Sequence, residues 1–145
     1  MKSLSENATS FSINKWLELT KADADFLSIK LSDSERKDHV PRVLDVVAAI
    51  LDGGEITNES KGVAALHGET RFKQGYSARL LLREAKLLQD AIAACIHRNL
   101  LEIEISSLIP DMVRAFGIVQ SLLEEAIHAF VGQPRSQVKR PSRRK

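Results

Sequence analysis

Apolar residues along this chain recur at helical rather than strand spacing. Ile13, Trp16, Leu17 and Thr20 fall on one face of an opening helix predicted to start near Ser12, and Trp16 is the one side chain there large enough to anchor it. Residues 22–31 are less regular and read as a short turn. Ser32 with Glu35 three residues on makes a capping box, so helix resumes there. Pro41 intrudes on that helix, and proline costs about 3 kcal/mol in a helix interior but little in a first turn. The pattern therefore predicts a short helix over Ser34 to Asp38 and a main one from His39 to Leu51, with Val43, Val46, Val47 and Ile50 buried and Gly53–Gly54 as its stop.

Thr57 or Asn58 caps a further helix running to about Lys73, with Val63, Leu66, His67 and Thr70 on one face and Gly75 in the left-handed position after its end. Ser77 caps the next, over 78–100. Its stripe of Leu81, Ala85, Leu88, Ile92, Cys95 and Ile96 is widened by Leu80, Leu87 and Ala91, which suits a central helix or one at a dimer interface. The last helix is predicted from Ser107–Pro110 to about Phe130, with Met112, Phe116, Val119, Leu123, Ala126 and Phe130 in register, before Gly132 and Pro134. With no repeat and no sustained heptad, the expectation is a single all-α domain over 12–131. Its five main helices, with short additional ones, would form a bundle or a globin-like packing. Residues 1–11 and 132–145 are expected to be disordered.

Composition agrees with helices. The 145 residues include few aromatics, 7 Gly and 4 Pro, and the apolar residues are mostly Leu, Ile, Val and Ala. A single cysteine, Cys95, cannot form an internal disulfide, and no secretion signal or transmembrane run is evident, so a cytoplasmic protein without membrane attachment is expected. The net charge of +2 conceals an asymmetry. Residues 133–145 hold six of the 21 basic groups (Arg135, Lys139, Arg140, Arg143, Arg144 and Lys145) and no acid, leaving 15 against 19 and a body at −4. That tail is a candidate interaction segment. Without interleaved aromatics and with an acidic body behind it, it reads as a solvated linker rather than a nucleic-acid binder.

Chemistry concentrates between Val63 and Leu88. His67 and Arg71 lie one helical turn apart, the helix breaks at Gly75–Tyr76, and the next helix carries the lone acid Glu84 among leucines. Reversal at the turn brings His67, Arg71, Tyr76 and Glu84 within reach of one another. Two readings of this cluster stand side by side: a buried network that fixes how the two helices pack, or the polar lining of a small-ligand pocket.

Three segments resemble the RsbRD-type N-terminal domains, helical input domains of RsbT co-antagonists and histidine kinases. They are Trp16 in an opening helix, then LSDSERKDHVPRVLDVVAAI through Glu35, Arg36, His39 and Leu44, and then HGETR, GY and LLREAKLL. The match covers about residues 12–131 and is most specific at His67, Arg71, Gly75 and Glu84. The resemblance implies a non-enzymatic regulatory domain of bacterial signal transduction. It would act on a signalling protein in trans, of the kinase or anti-sigma regulator class, or form the input part of something longer.

Sharper chemistries find less support in the residues. A histidine phosphotransfer site would need His67 exposed with a lysine on its face, and Lys73 is six residues away on another. Haem could use His39, His67, His97 or His128, but the aromatics that wall a haem are scarce, so no cofactor is expected. No His, Cys or acid cluster has structural-zinc spacing, and no nucleophile elbow, phosphate loop or paired-carboxylate site appears, so an enzyme is not expected. The broad apolar faces of the last two helices predict a homo-oligomer. Cys95 is read as an inert core residue.

Overall fold

Helices account for every long element of the computed structural model, which describes residues 5–134. In chain order they are α1 (Ser5–Lys21), α2 (Ala24–Leu27), α3 (Asp33–Lys37), α4 (Val40–Leu51), α5 (Asn58–Lys73), α6 (Ala78–Arg98), a 3-10 turn (Leu100–Glu102) and α7 (Ile105–Val131). Five of these run from 12 to 27 residues, α2 and α3 are short, and no strand occurs among the described residues. The fold class is all-α. No helix of the described residues is long and apolar enough to cross a membrane.

The chain's capping chemistry sets these boundaries. Ser32 and Glu35 exchange both bonds of a capping box at the start of α3, and Thr57 and Ser60 do the same at α5. Pro41 sits in the first turn of α4, where its missing N–H is not needed. Two helices end in Schellman motifs. In α4, Gly53 N–H donates to Ile50 O and Gly54 N–H to Ala49 O; in α5, Gly75 N–H donates to Phe72 O and Tyr76 N–H to Arg71 O. Gly53 and Gly75 take the positive φ these motifs require, 105° and 92°.

Three boundaries differ from those the sequence predicts. Helix α1 begins at Ser5, so residues 5–11 are helical rather than disordered. Tertiary contact holds this weakly amphipathic stretch: Cys95 Sγ lies 3.8 Å from Ala8 O, and the Arg98 guanidinium stacks 4.7 Å over the Phe11 ring. The 22–31 stretch contains a full helical turn, α2, capped by Asp23. Helix α7 starts at Ile105, which places Pro110 inside it; Pro110 is exposed, where water can serve the carbonyl that loses its partner. The basic tail, Arg135 to Lys145, lies outside the described residues.

The middle of the assembly falls to α7, which packs chiefly on α5 and also on α6 and α4, while α6 lies between α1 and α7. Buried apolar residues form two clusters. The larger joins Trp16, Val43, Val47, Val63, Leu88, Ile92, Ile118 and Leu122, among others, and the smaller comprises Phe26, Tyr76, Leu80, Leu81, Ala126 and Phe130. The boundary between them can be followed on two helices. On α5, Val63 and Ala64 belong to the larger cluster, and Tyr76, just past its end, to the smaller. On α6 the order reverses, from Leu80 and Leu81 to Leu88 and beyond. His67, Arg71 and Glu84 occupy the crossing.

One contact fixes how closely α5 approaches α7. A Cβ on Gly68 would stand 2.1 Å from Ala126 O, so the two backbones touch there and only glycine fits. Gly62, one and a half turns earlier on the same helix, has nothing within 4 Å of a built Cβ. The two glycines should therefore respond oppositely to alanine. Gly62→Ala should stabilise by about 0.5–1 kcal/mol through helix propensity. Gly68→Ala should destabilise by about 1–3 kcal/mol despite the same propensity gain, because the backbones must part. Urea unfolding followed by Trp16 fluorescence measures both, and a stabilising Gly68→Ala would refute the close approach.

Candidate functional site

The polar joint between the two apolar clusters is built from side chains that the chain itself cannot leave unpaired. His67 and Arg71 share a face of α5, four residues apart, and are buried, at 7% and 0% exposure. Glu84, two turns into α6, is 3% exposed. The His67 ring presents both nitrogens to carboxylates: Nε2 makes a short contact with Glu84 Oε1, and Nδ1 lies 3.0 Å from Asp38 Oδ2. Both nitrogens face acceptors, so both must donate, and the ring is an imidazolium.

Arg71 engages all three of its nitrogens. Nε donates to Glu84 Oε1 at 3.3 Å and stands 3.0 Å from Oε2 as an ion pair; Nη1 donates to Glu35 O at 3.1 Å and to Gln74 Oε1 at 2.8 Å; Nη2 donates to Arg36 O. Glu35 and Arg36 lie in the last turn of α3, so the guanidinium satisfies carbonyls that a five-residue helix would otherwise strand. Arg36, itself buried, repeats the device one element earlier by donating to Phe26 O at 3.2 Å and Ile29 O at 3.0 Å at the end of α2. Tyr76 lies under the guanidinium of Arg71, 4.8 Å from ring centroid to Cζ, and edge-on to Phe26. The Schellman turn places it there, because Tyr76 N–H bonds Arg71 O. Trp16 Nε1 donates to Glu84 O at 3.2 Å and ties α1 to the same point of α6.

The four residues singled out by the sequence thus lie together. The structure adds Asp38, His39, Arg36 and Gln74 to them. Asp38 terminates α3 with φ 43° and ψ −116°, outside the regions open to L-residues without strain, which costs on the order of 1–3 kcal/mol. That backbone turns its carboxylate inward, where Oδ2 meets both His67 Nδ1 and His39 Nδ1. The signal available in sequence was an acid directly before a histidine at the break between two helical stretches. Nothing local says which way its side chain points.

Electrostatics follow from burial opposed by pairing. Burial alone would push His67 toward neutrality, but the Glu84 charge and the Asp38 hydrogen bond outweigh it, and its pKa stands above the usual 6.5. Burial likewise works against ionised Asp38, yet hydrogen bonds from His67 and His39 take its carboxyl down to about 2. Glu84 is held below the usual carboxylate value because the His67 and Arg71 charges overcome its desolvation. The Tyr76 phenol is pushed well up, first by burial and then by the Glu84 charge.

Space at the joint is small. A cavity of about 40 Å³ is bounded by Trp16, Val40, His67, Glu84, Leu88 and Val119, whereas ligand sites span roughly 300–1,000 Å³. A larger apolar cavity of about 90 Å³ lies elsewhere, between α1, α4, α6 and α7 beside Cys95. His97 and His128 are exposed and stand apart from the joint. No protein-family model, curated protein sequence or solved structure matches the chain.

Two measurements test the joint. Glu84→Gln should destabilise by about 3–5 kcal/mol in urea unfolding, because Arg71 is left buried without its carboxylate and His67 loses one of its two. Glu124→Gln on the exposed face of α7 should change stability by no more than about 0.5 kcal/mol. Equal, small effects would mean that the joint is hydrated and weak. The second test is pH. Asp38 and Glu84 have depressed native pKa values, so their contribution is full above their ordinary values of 3.8 and 4.5 and is lost as pH falls through the native ones. His67 has a raised native value, so its contribution is full below 6.5 and is lost as pH rises through that native value. The urea midpoint should therefore be highest between these limits, and His67→Gln should flatten the alkaline limb. An alkaline limb unchanged in His67→Gln would assign it to another group.

Proposed function

We propose that this chain is a non-enzymatic regulatory domain of signal transduction that works through protein–protein contact, self-associating and engaging a signalling protein in trans. The observation that carries this reading is an unpartnered apolar row. Leu101, Ile105, Ile109 and Val113 follow one another at four-residue spacing along the 3-10 turn and the first half of α7, and they are 101%, 80%, 69% and 66% exposed. A row of large aliphatic side chains open to water is costly unless a partner covers it.

Further support comes from the joint and from the residues' resemblance. His67, Arg71 and Glu84 are engaged with one another and with backbone, and no nitrogen of the buried His67 ring is left to accept a phosphoryl group. The void beside them has room for about one water molecule. That is the pattern of a packing element, without room for an organic ligand. The RsbRD-type resemblance, most specific at these same residues, suggests the class of output: a kinase or an anti-sigma-type regulator.

Sedimentation velocity over a wide concentration range tests the self-association. The wild type should pass from monomer to dimer as concentration rises, and Ile109→Asp should remain a monomer with unchanged circular dichroism. A sharp monomer peak for the wild type at every concentration would defeat it.

A further inference from the structure

Asp38, His39 and His67 bring one carboxylate oxygen and two imidazole nitrogens to a single point at the surface end of the polar joint. One ligand atom of each residue lies within 4.8 Å of those of the other two; Asp38 Oδ2 is 3.0 Å from His67 Nδ1 and in short contact with His39 Nδ1. An ion held tetrahedrally at about 2.0–2.2 Å from each donor separates those donors by roughly 3.3 Å. The Asp38–His67 pair is therefore close to the size that one ion would hold, and the shorter contact of His39 Nδ1 with the same oxygen must open for the ion to enter. Both nitrogens meet the same carboxylate oxygen, so the three donors face one another.

We propose that Asp38 Oδ2, His39 Nδ1 and His67 Nδ1 bind a divalent first-row transition ion, zinc by the character of the donors, with a fourth position open to solvent. Two nitrogens among three donors argue against Mg²⁺ and Ca²⁺, which take oxygen ligands. Access is present: the Asp38 and His39 side chains keep 16% and 17% exposure, while His67 anchors the site from within. The outer shell is in place as well. His67 Nε2 faces Glu84 Oε1, so the carboxylate fixes the tautomer that frees Nδ1 for the ion, and Glu84 is in turn held by Arg71. The ion takes the place of the proton that Nδ1 otherwise donates to Asp38. The His39 and His67 rings stand nearly perpendicular, with centroids 6.1 Å apart. His39 is free to serve because, although it begins α4, its side chain makes no capping bond. The strained φ of Asp38 also finds a use, since it is what turns the carboxylate to the two rings. This inference is independent of the protein-contact reading, which would survive its failure.

The test uses tag-free full chain, stripped with a chelator and titrated with Co²⁺ and with Zn²⁺. The wild type should bind one equivalent, show the visible absorption of low-coordinate Co²⁺, and melt about 8 °C higher at zinc a hundredfold above Kd. His39→Ala, folded by circular dichroism, should bind at least about tenfold more weakly. His97→Ala and His128→Ala should bind as the wild type does. Folded wild type without a thermal shift or a Co²⁺ band would overturn the proposal. So would undiminished binding in His39→Ala, or loss of binding in either of the other two variants.

Discussion

The charged contact of Arg71 and His67 with Glu84 is the constraint on which the arrangement of this domain depends. Three ionisable groups are taken out of water at the crossing of α5 and α6, and each would cost several kcal/mol if left alone. Such pairs add little net stability over a well-packed apolar replacement, but they tolerate only one geometry. A slip of α5 along α6 by one turn would strand an arginine or a glutamate in the core. The apolar residues on either side would accept such a slip far more readily, since leucine against leucine is satisfied in several registers. Specificity of packing, rather than stability, is what this joint supplies.

From that crossing the rest of the upper layer follows. Short helices are marginal by themselves, and α2 and α3 have four and five residues. Each has a buried arginine at its C-terminal end: Arg36 binds Phe26 O of α2 and Ile29 O just beyond it, and Arg71 binds Glu35 O and Arg36 O of α3. The arginines form a series, since Arg36 gives its own carbonyl to Arg71. Cation, short helix and cation thus hold one another in place, and Trp16 adds α1 to the same assembly through the carbonyl of Glu84. Below the joint the larger apolar cluster needs no such specification, and α7 passes through it by ordinary aliphatic packing.

Much of this was legible in sequence because it is local. The capping box at Ser32, a cap at Thr57, proline in the first turn of α4 and glycines in Schellman positions are all determined within a few residues, and the periodicity of 3.6 gave the buried stripes of α4 and α6. The grouping of His67, Arg71, Tyr76 and Glu84 was legible for a related reason: a single tight turn at Gly75 joins the two helices that carry them. Asp38 was not, because it lies 29 residues from His67 and its side-chain direction depends on an unusual backbone angle. Nor was the role of Arg36, which in sequence is one charge among many in SDSERKDH. Helix α1 was predicted to start seven residues late because its first turns lack an amphipathic pattern and are held by Cys95 and Arg98 of α6. Gly68 could be seen only once α7 was in place.

The two features with functional bearing lie toward opposite ends of α7. Helix α7 has 27 residues and so spans about 40 Å. Its first half offers the apolar row from Ile105 to Val113, and near its other end Ala126 touches the backbone of Gly68, next to His67. A straight helix alone transmits nothing, because influence between distant sites requires an element with two arrangements that both sites bias. The contact at Gly68 is the place where such an element could exist: the backbones meet without side chains between them, so a rotation of α5 that moves His67 must also shift α7 or open a gap. A change in the protonation or ligation of His67 bears first on Asp38 and Glu84, which its ring nitrogens meet, and it would reach the seating of α7 and the apolar row only by rotating α5.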